Sequence, residues 1–169
     1  MDIQIRKGTV EDTEKLIQFL QNIKNGMQNP EWFYLDPPDA VREYMHSGTM
    51  QLWLAMDGEQ IAAIFDYLIP GLESYNYGYD LNLPVEDLLC VINLDNAAVH
   101  PDYRGMGLRR KMIQIAEEHL RITGPHILLC TVHPENSFSL QNVLNQGYTI
   151  QKQLSKYGSV RYILRKDIF

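Results

Sequence analysis

Apolar residues recur along this chain at two periods, and the switches between them mark out the elements. The opening "IQIRKG" alternates and predicts a short strand. In "TVEDTEKLIQFLQNIKNGM" the spacing changes to three and four. Thr9 is the helix N-cap, acids fill the first turn, and Leu16, Leu20 and Ile23 share one face. "NPEWFYLDPP" predicts a loop, and "PDAVREYMHSG" a short helix that starts on proline and stops at Gly48. The two apolar runs of "MQLWLAMDGEQIAAIFDYLIPG" meet at Asp57-Gly58, a hairpin signal. A long connection, "LESYNYGYDLNLPVED", leads to a strand in "LLCVINLDNAAV". The helix in "GLRRKMIQIAEEHLRITG" turns Leu108, Met112, Ile115 and Ala116 inward, with His119 or Leu120, and stops at Gly124-Pro125. "HILLCTV" is apolar almost throughout, as a central strand covered on both faces should be. A short helix in "ENSFSLQNVLNQG" and terminal strands in "YTIQKQL" and "VRYILRKDI" complete the chain.

The order β-α-α-β-β-β-α-β-α-β-β predicts an α/β protein, a mixed sheet flanked by about four helices. At 169 residues, one domain spanning residues 1–169 is expected. No apolar run approaches the ~20 residues of a membrane-spanning helix. The first ten residues lack a signal-peptide core, and Cys90 and Cys130 each sit in an apolar run and read as buried, reduced thiols. A cytoplasmic protein with no membrane partner is therefore expected. The five histidines show no ligand spacing with Cys or Asp, so no metal is expected.

Charge sharpens this picture. From Glu43 to Tyr103 there is no Lys or Arg, while ten acids fall in that stretch: Glu43, Asp57, Glu59, Asp66, Glu73, Asp80, Glu86, Asp87, Asp95 and Asp102. All 15 bases and the other eleven of the 21 acids lie outside it. Two electrostatic environments follow, one suited to an anion and one to a cation, unless the middle is only an acidic solvated face. A nucleic-acid partner is not expected, since a phosphate lattice requires a basic face.

The anion environment centres on "HPDYRGMG", which joins "LDNAAV" to "LRRKM". A short turn into a helix presents backbone N–H groups that the helix itself does not use. Those groups and the helix dipole attract an anion, and Gly105 and Gly107 let a phosphate approach closely. Arg104, Arg109, Arg110 and Lys111 add positive charge. Neither G-x-x-x-x-G-K-[ST] nor a strand-borne G-x-G-x-x-G is present. On local physics alone, glycines serving only the turn and arginines forming a solvated face remain an alternative.

The stretch "AAVHPDYRGMG" with its amphipathic helix resembles the acetyl-CoA-binding motif of the GNAT superfamily of N-acetyltransferases, V-x-P-x-x-[RQ]-x-x-G-x-[GA]. Downstream, "HPENSFSLQNVLNQGY" resembles that family's second motif through Asn136, Ser139, Gly147 and Tyr148. The element order matches over essentially the whole chain. The resemblance implies a mostly antiparallel sheet with a splayed parallel central pair, a slot for the cofactor arm, and acetyl-CoA as acyl donor. It assigns the pyrophosphate cradle to Arg104, Gly105, Met106, Gly107, Leu108 and Arg109. It pairs Ala97, Ala98 and Val99 with the pantetheine amides, and sets Asn136 against the pantetheine or the acyl end.

Two positions depart from the pattern. Arg109 stands where the loop motif ends on a small residue, and reads as an extra phosphate contact. Val143 stands seven residues after the motif Asn, where many relatives carry the Tyr that protonates the departing thiolate. Tyr148 is a candidate replacement, or else a core aromatic. Transfer to an amine also needs a base and an oxyanion donor. The donor is expected to be a backbone N–H near Val99. The base candidate is Asp95, which alternation sets on one face with Asn93 and Ala97, although a structural Asp is the competing reading.

The base-free connection supplies the cation environment. Tyr75, Tyr77, Tyr79 and Asp80, with Glu73, Glu86 and Asp87, suit a cationic acceptor through ion pairing and cation–π contact. Tyrosines that pack the loop down or form a dimer contact are the alternative, and a homodimer is a family-level expectation. The function expected is acetyl transfer from acetyl-CoA to a primary amine of a small cationic acceptor. The alternative is a CoA-binding or regulatory protein on the same fold with little transferase activity.

Overall fold

The structure, a computed structural model, describes residues 1–169. Its elements run β1 (Ile3–Lys7), α1 (Thr13–Asn25), α2 (Pro38–Ser47), β2 (Met50–Asp57), β3 (Gln60–Leu68), α3 (Val85–Leu88) and β4 (Val91–Val99). They continue with α4 (Leu108–Ile122), β5 (His126–Val132), α5 (Ser137–Asn145), β6 (Thr149–Lys156) and β7 (Ser159–Ile168). The seven strands form one sheet in the order β1-β2-β3-β4-β5-β7-β6. β1–β2, β2–β3, β5–β7 and β6–β7 pair antiparallel, while β4 runs parallel to β5, with Val91–Asn93 opposite Ile127–Leu129. This is the expected mixed α/β sheet. No helix is long and apolar enough to cross a membrane.

The differences from the sequence reading fall in the acidic connection. A 3-10 turn (Tyr77–Leu81) and α3 occupy what reads as irregular chain. Leu88, Leu89 and Cys90, read into β4, belong instead to α3 and the turn after it. Pro84 precedes the helix, and the Leu88 and Leu89 N–H groups bond back to Pro84 and Val85 carbonyls. Cys90 is consequently half-buried rather than a core residue, whereas Cys130 on β5 is buried.

Residues gather in two compact units: Met1–Leu68 with Asn96–Ala116, and Ile69–Asp95 with Glu117–Phe169. In the first unit, α1 inserts Leu16, Phe19 and Leu20 and α2 inserts Val41 and Met45, as their three-and-four spacing requires. α2 ends at Gly48, whose φ of 80° is the left-handed cap that stops a helix. β3 is buried from Ile61 to Leu68, including Asp66. In the second unit Tyr77 clusters with Val91, Ile127 and Leu129, so the acidic connection is closed down on the strands by its own aromatic.

Candidate active site

The turn after β4 is held in shape before any ligand is considered. His100 Nδ1 accepts the Asp102 N–H at 3.2 Å, and the His100 N–H donates to the Ala62 carbonyl at 2.8 Å. Tyr103 is buried and its hydroxyl donates to Asp57 at 2.8 Å and to Gln60 at 3.2 Å, tying the turn to the β2–β3 hairpin. The Asp57 carboxylate holds the Tyr103 phenol above its ordinary pKa, so it remains a neutral donor. Gly105 and Gly107 follow with φ of 81° and 71°. A Cβ built on either would meet nothing within 4 Å, so packing does not explain the glycines; the left-handed backbone and an open approach do. The first bond of α4 runs from the Lys111 N–H to the Gly107 carbonyl, and the N–H groups ahead of it have no place in the helix ladder. Arg104, Met106, Arg110 and Lys111 are exposed around this turn. The arrangement suits a phosphate.

Arg109 does not extend into solvent with them. Its Nη2 donates to the Ala97 carbonyl at 2.7 Å. Burial, and then the charge on Arg104, depress its pKa. The last small position of the turn motif is thus filled by a side chain folded back along β4 rather than pointed at the Gly turn. On β4 itself Ala97 and Val99 are half-buried and Ala98 is buried.

Asn96 and Asp66 are an addition that the sequence reading passed over. Asp66 is fully buried on β3 and accepts from the Asn96 backbone N–H at 3.1 Å and from its side-chain amide at 3.0 Å. A carboxylate therefore replaces a strand carbonyl as the partner of that backbone group, next to Ala97. Its visible signal is an Asp inside the apolar run "IAAIFDYLI".

In the second unit Asp95 is half-buried, in the same alternation phase as Ala97 and Val99. Asn93 shares that phase but is buried, accepting from the Tyr77 N–H at 3.1 Å and donating to the Tyr75 carbonyl at 2.9 Å. It clamps the acidic connection to β4. Asn136 caps α5, its Oδ1 accepting from the Ser139 N–H at 3.2 Å. The preceding turn is set by the Glu135 N–H donating to His133 Nδ1 at 3.1 Å.

Three sequence assignments change here. Tyr148, the candidate acid, is buried, and its hydroxyl donates to Glu117 at 2.7 Å. Burial, and then that carboxylate, push its pKa up, which makes it a poorer proton donor; its position is that of a core aromatic. Val143, at the position of the missing Tyr, is also buried. Tyr77 and Asp80, read as acceptor contacts, already engage a cation of the chain itself. Lys156 Nζ is 2.9 Å from Asp80 and 5.2 Å from the centroid of the Tyr77 ring, whose hydroxyl also bonds Tyr157 at 2.9 Å. Tyr79 is exposed, with its hydroxyl on the Leu72 carbonyl at 2.8 Å, and Tyr75 is half-buried. Burial also pushes the Cys130 thiol up to about 12, which removes it as a nucleophile. No His, Cys, Asp and Glu side chains gather in a group of three that could hold a metal.

No family model matches the chain. It superposes on an acetyltransferase of the GNAT family from Streptococcus pneumoniae, with a TM-score of 0.75, 16% identity, and coverage of 99% of this chain and 100% of that one. The fold is that of the GNAT acetyltransferases. A second neighbour, Arabidopsis thaliana NAA60 in complex with acetyl-CoA, gives a TM-score of 0.75 at 14% identity, covering 99% of each chain. Among curated proteins, the L-amino acid N-acyltransferase MnaT of Escherichia coli is 30% identical over 61 residues, 36% of this chain. That match spans only 36% of the relative's own length. In this GNAT fold the Gly turn after β4, the helix it opens and the Asn-capped α5 are the elements that the two sequence motifs pick out.

Proposed function

We propose that this chain is a GNAT N-acetyltransferase that moves an acetyl group from acetyl-CoA to the primary amine of a small acceptor. The observation that carries the reading is the Gly105–Gly107 turn. It follows β4, opens α4, and has room where any side chain would project. The backbone N–H groups from Gly105 to Arg109 would hold the diphosphate, that of Arg104 being bonded to the Pro101 carbonyl at 3.3 Å, and Ala97, Ala98 and Val99 the pantetheine, with Asn136 beside the acyl end. Acetyl-CoA supplies a thioester, whose thiol leaving group has a pKa of about 8.5, like cysteine.

Asp95 takes the proton of the attacking ammonium, directly or through water, because an amine is a nucleophile only when neutral. A backbone N–H near Val99 polarises the acyl oxygen. The His100 N–H is committed to Ala62, so the donor is not that group. With Val143 apolar and Tyr148 committed to Glu117, the thiolate leaves without a tyrosine acid. Its modest basicity tolerates this.

A small cationic acceptor is the finer proposal, resting on the exposed Glu73, Glu86 and Tyr79 rather than on Asp80 or Tyr77, which meet Lys156. The same tyrosine deficit favours a second reading, a CoA-binding regulator with little turnover. Calorimetry with acetyl-CoA, followed by thiol release over a panel of amines, tests both. Binding with release supports the transferase, binding without release supports the regulator, and no binding removes both. A panel active only with anionic or neutral amines removes the cationic acceptor.

A further inference from the structure

One buried amide draws the acidic connection together. Asn76 is 1% exposed; its Oδ1 accepts the Gly78 N–H at 2.7 Å, and its Nδ2 donates to the Gly71 carbonyl at 2.7 Å and to the Leu88 carbonyl at 3.0 Å. Each of these three anchor residues is followed in the chain by a large apolar residue that stays in solvent: Leu72, Tyr79 and Leu89 are 51%, 43% and 62% exposed. Val85, one turn before Leu89 on α3, is 58% exposed. The Tyr79 hydroxyl donates to the Leu72 carbonyl at 2.8 Å, which ties two of the segments directly. Apolar residues scattered singly over a surface need no explanation, but four gathered about one clamp form a patch.

Charge says what the patch receives. Glu73 follows Leu72 and Glu86 follows Val85; both are exposed, and neither carboxylate has a hydrogen bond or ion pair. No Lys or Arg occurs from Glu43 to Tyr103. A small ammonium ion would answer one of these acids and leave the four apolar side chains in water. A nucleic acid or an anionic membrane would be repelled by both acids. We propose that this face docks a basic amphipathic segment of a partner protein: its apolar side chains cover Leu72, Tyr79, Val85 and Leu89, and its Lys or Arg side chains pair with Glu73 and Glu86. Because Asn76 already fixes the three segments, docking has little backbone to order. The face shares no residue with the donor site proposed above, and its docking does not depend on acetyl-CoA.

The protein, without acetyl-CoA, is titrated into three fluorescein-labelled peptides: an amphipathic Lys/Leu helix, the corresponding Glu/Leu helix and an oligolysine, with anisotropy as the readout. The Lys/Leu peptide is expected to bind about tenfold or more tightly than either control. Leu72→Gln with Leu89→Gln, and separately Glu73→Gln with Glu86→Gln, should each weaken that binding about fivefold or more. All four side chains are exposed, so both double variants should melt close to wild type. Failure of the Lys/Leu peptide to bind overturns the proposal, as does unchanged affinity in either double variant or an oligolysine that binds as tightly. A wild-type dimer in sedimentation that the Leu72/Leu89 double variant makes monomeric also overturns it, by giving the face to a second copy of the chain.

Discussion

The Tyr148 hydroxyl donates to Glu117 at 2.7 Å, and Lys166 Nζ reaches the other oxygen of the same carboxylate at 2.7 Å. Tyr148 and Glu117 are both buried, so this is a polar network inside the second unit, closed by Lys166 lying 5.4 Å from the Tyr148 ring centroid. Buried charges are tolerated when paired and costly when stripped of a partner. Tyr148→Phe removes one bond to a charged group while Glu117 keeps Lys166. The expected cost is about 1–3 kcal/mol in urea unfolding, with turnover per folded molecule within a few-fold of wild type. A large loss of turnover without loss of stability would return Tyr148 to the chemistry.

That network explains part of what the sequence could and could not convey. Element order was legible because burial imposes periods of 2 and 3.6, and the turn was legible because Gly105 and Gly107 answer to backbone conformation. Side-chain partners separated along the chain leave no such period. Nothing in "NQGYTI" announces Glu117, 31 residues earlier, and nothing in "NYGYD" announces Lys156, 76 residues after Asp80. A tyrosine-rich acidic stretch reads as a receptor for a cation, and the chain provides that cation from β6. Arg109 was visible as a departure from the motif, but its direction depends on the packing around β4.

Gly107 provides a test of the turn that does not depend on the chemistry. An alanine there meets no neighbour, so its cost is left-handed backbone strain alone, about 1–2 kcal/mol. The Cβ would nonetheless stand in the space assigned to the diphosphate. Gly107→Ala is expected to remain folded and to lose acetyl-CoA affinity tenfold or more by calorimetry, and Gly107→Asp to abolish binding. Affinity at the wild-type level in both would put the phosphates elsewhere.

Asp66 and Asn96 should be energetically coupled. Asp66→Ala removes the carboxylate from the buried Asn96 N–H and amide, at a cost of about 2–4 kcal/mol. Asn96→Ala keeps the backbone bond to the carboxylate and removes only the amide bonds. A double-mutant cycle in urea is expected to return a coupling of about 1–3 kcal/mol. Additive effects would mean that Asp66 acts through other groups.

Asp12 carries a pH signature. Arg6 donates to both of its oxygens at 2.8 and 2.9 Å, the Thr9 N–H donates to one of them at 2.8 Å, and the Arg6 bonds hold the carboxyl at about 2 rather than 3.8. A pKa lowered by folding contributes stability above the unfolded value, and that contribution disappears as pH falls through the folded one. Arg6 is half-exposed, so the contribution is discounted to about 1–2 kcal/mol. The stability difference between wild type and Asp12→Asn should therefore be full at pH 6 and shrink steadily from pH 5 toward pH 2. A difference independent of pH would assign the loss to packing.

Asp95 is the proposed base, and its role can be tested directly. Its half-buried place on β4, one residue before the Asp66-bonded Asn96, gives it a strand backbone held on one side by a buried carboxylate. A base so held should lose its role when made an amide. Asp95→Asn is expected to lower kcat by about 10²-fold or more and to remove the acid limb of the pH–rate profile. Acetyl-CoA affinity should be unchanged, because the proposed donor contacts begin at Ala97 and do not include Asp95. A structural Asp95 would instead lower the melting temperature and leave the shape of the profile intact. The two outcomes separate on the pH profile alone, measured with the best acceptor from the amine panel.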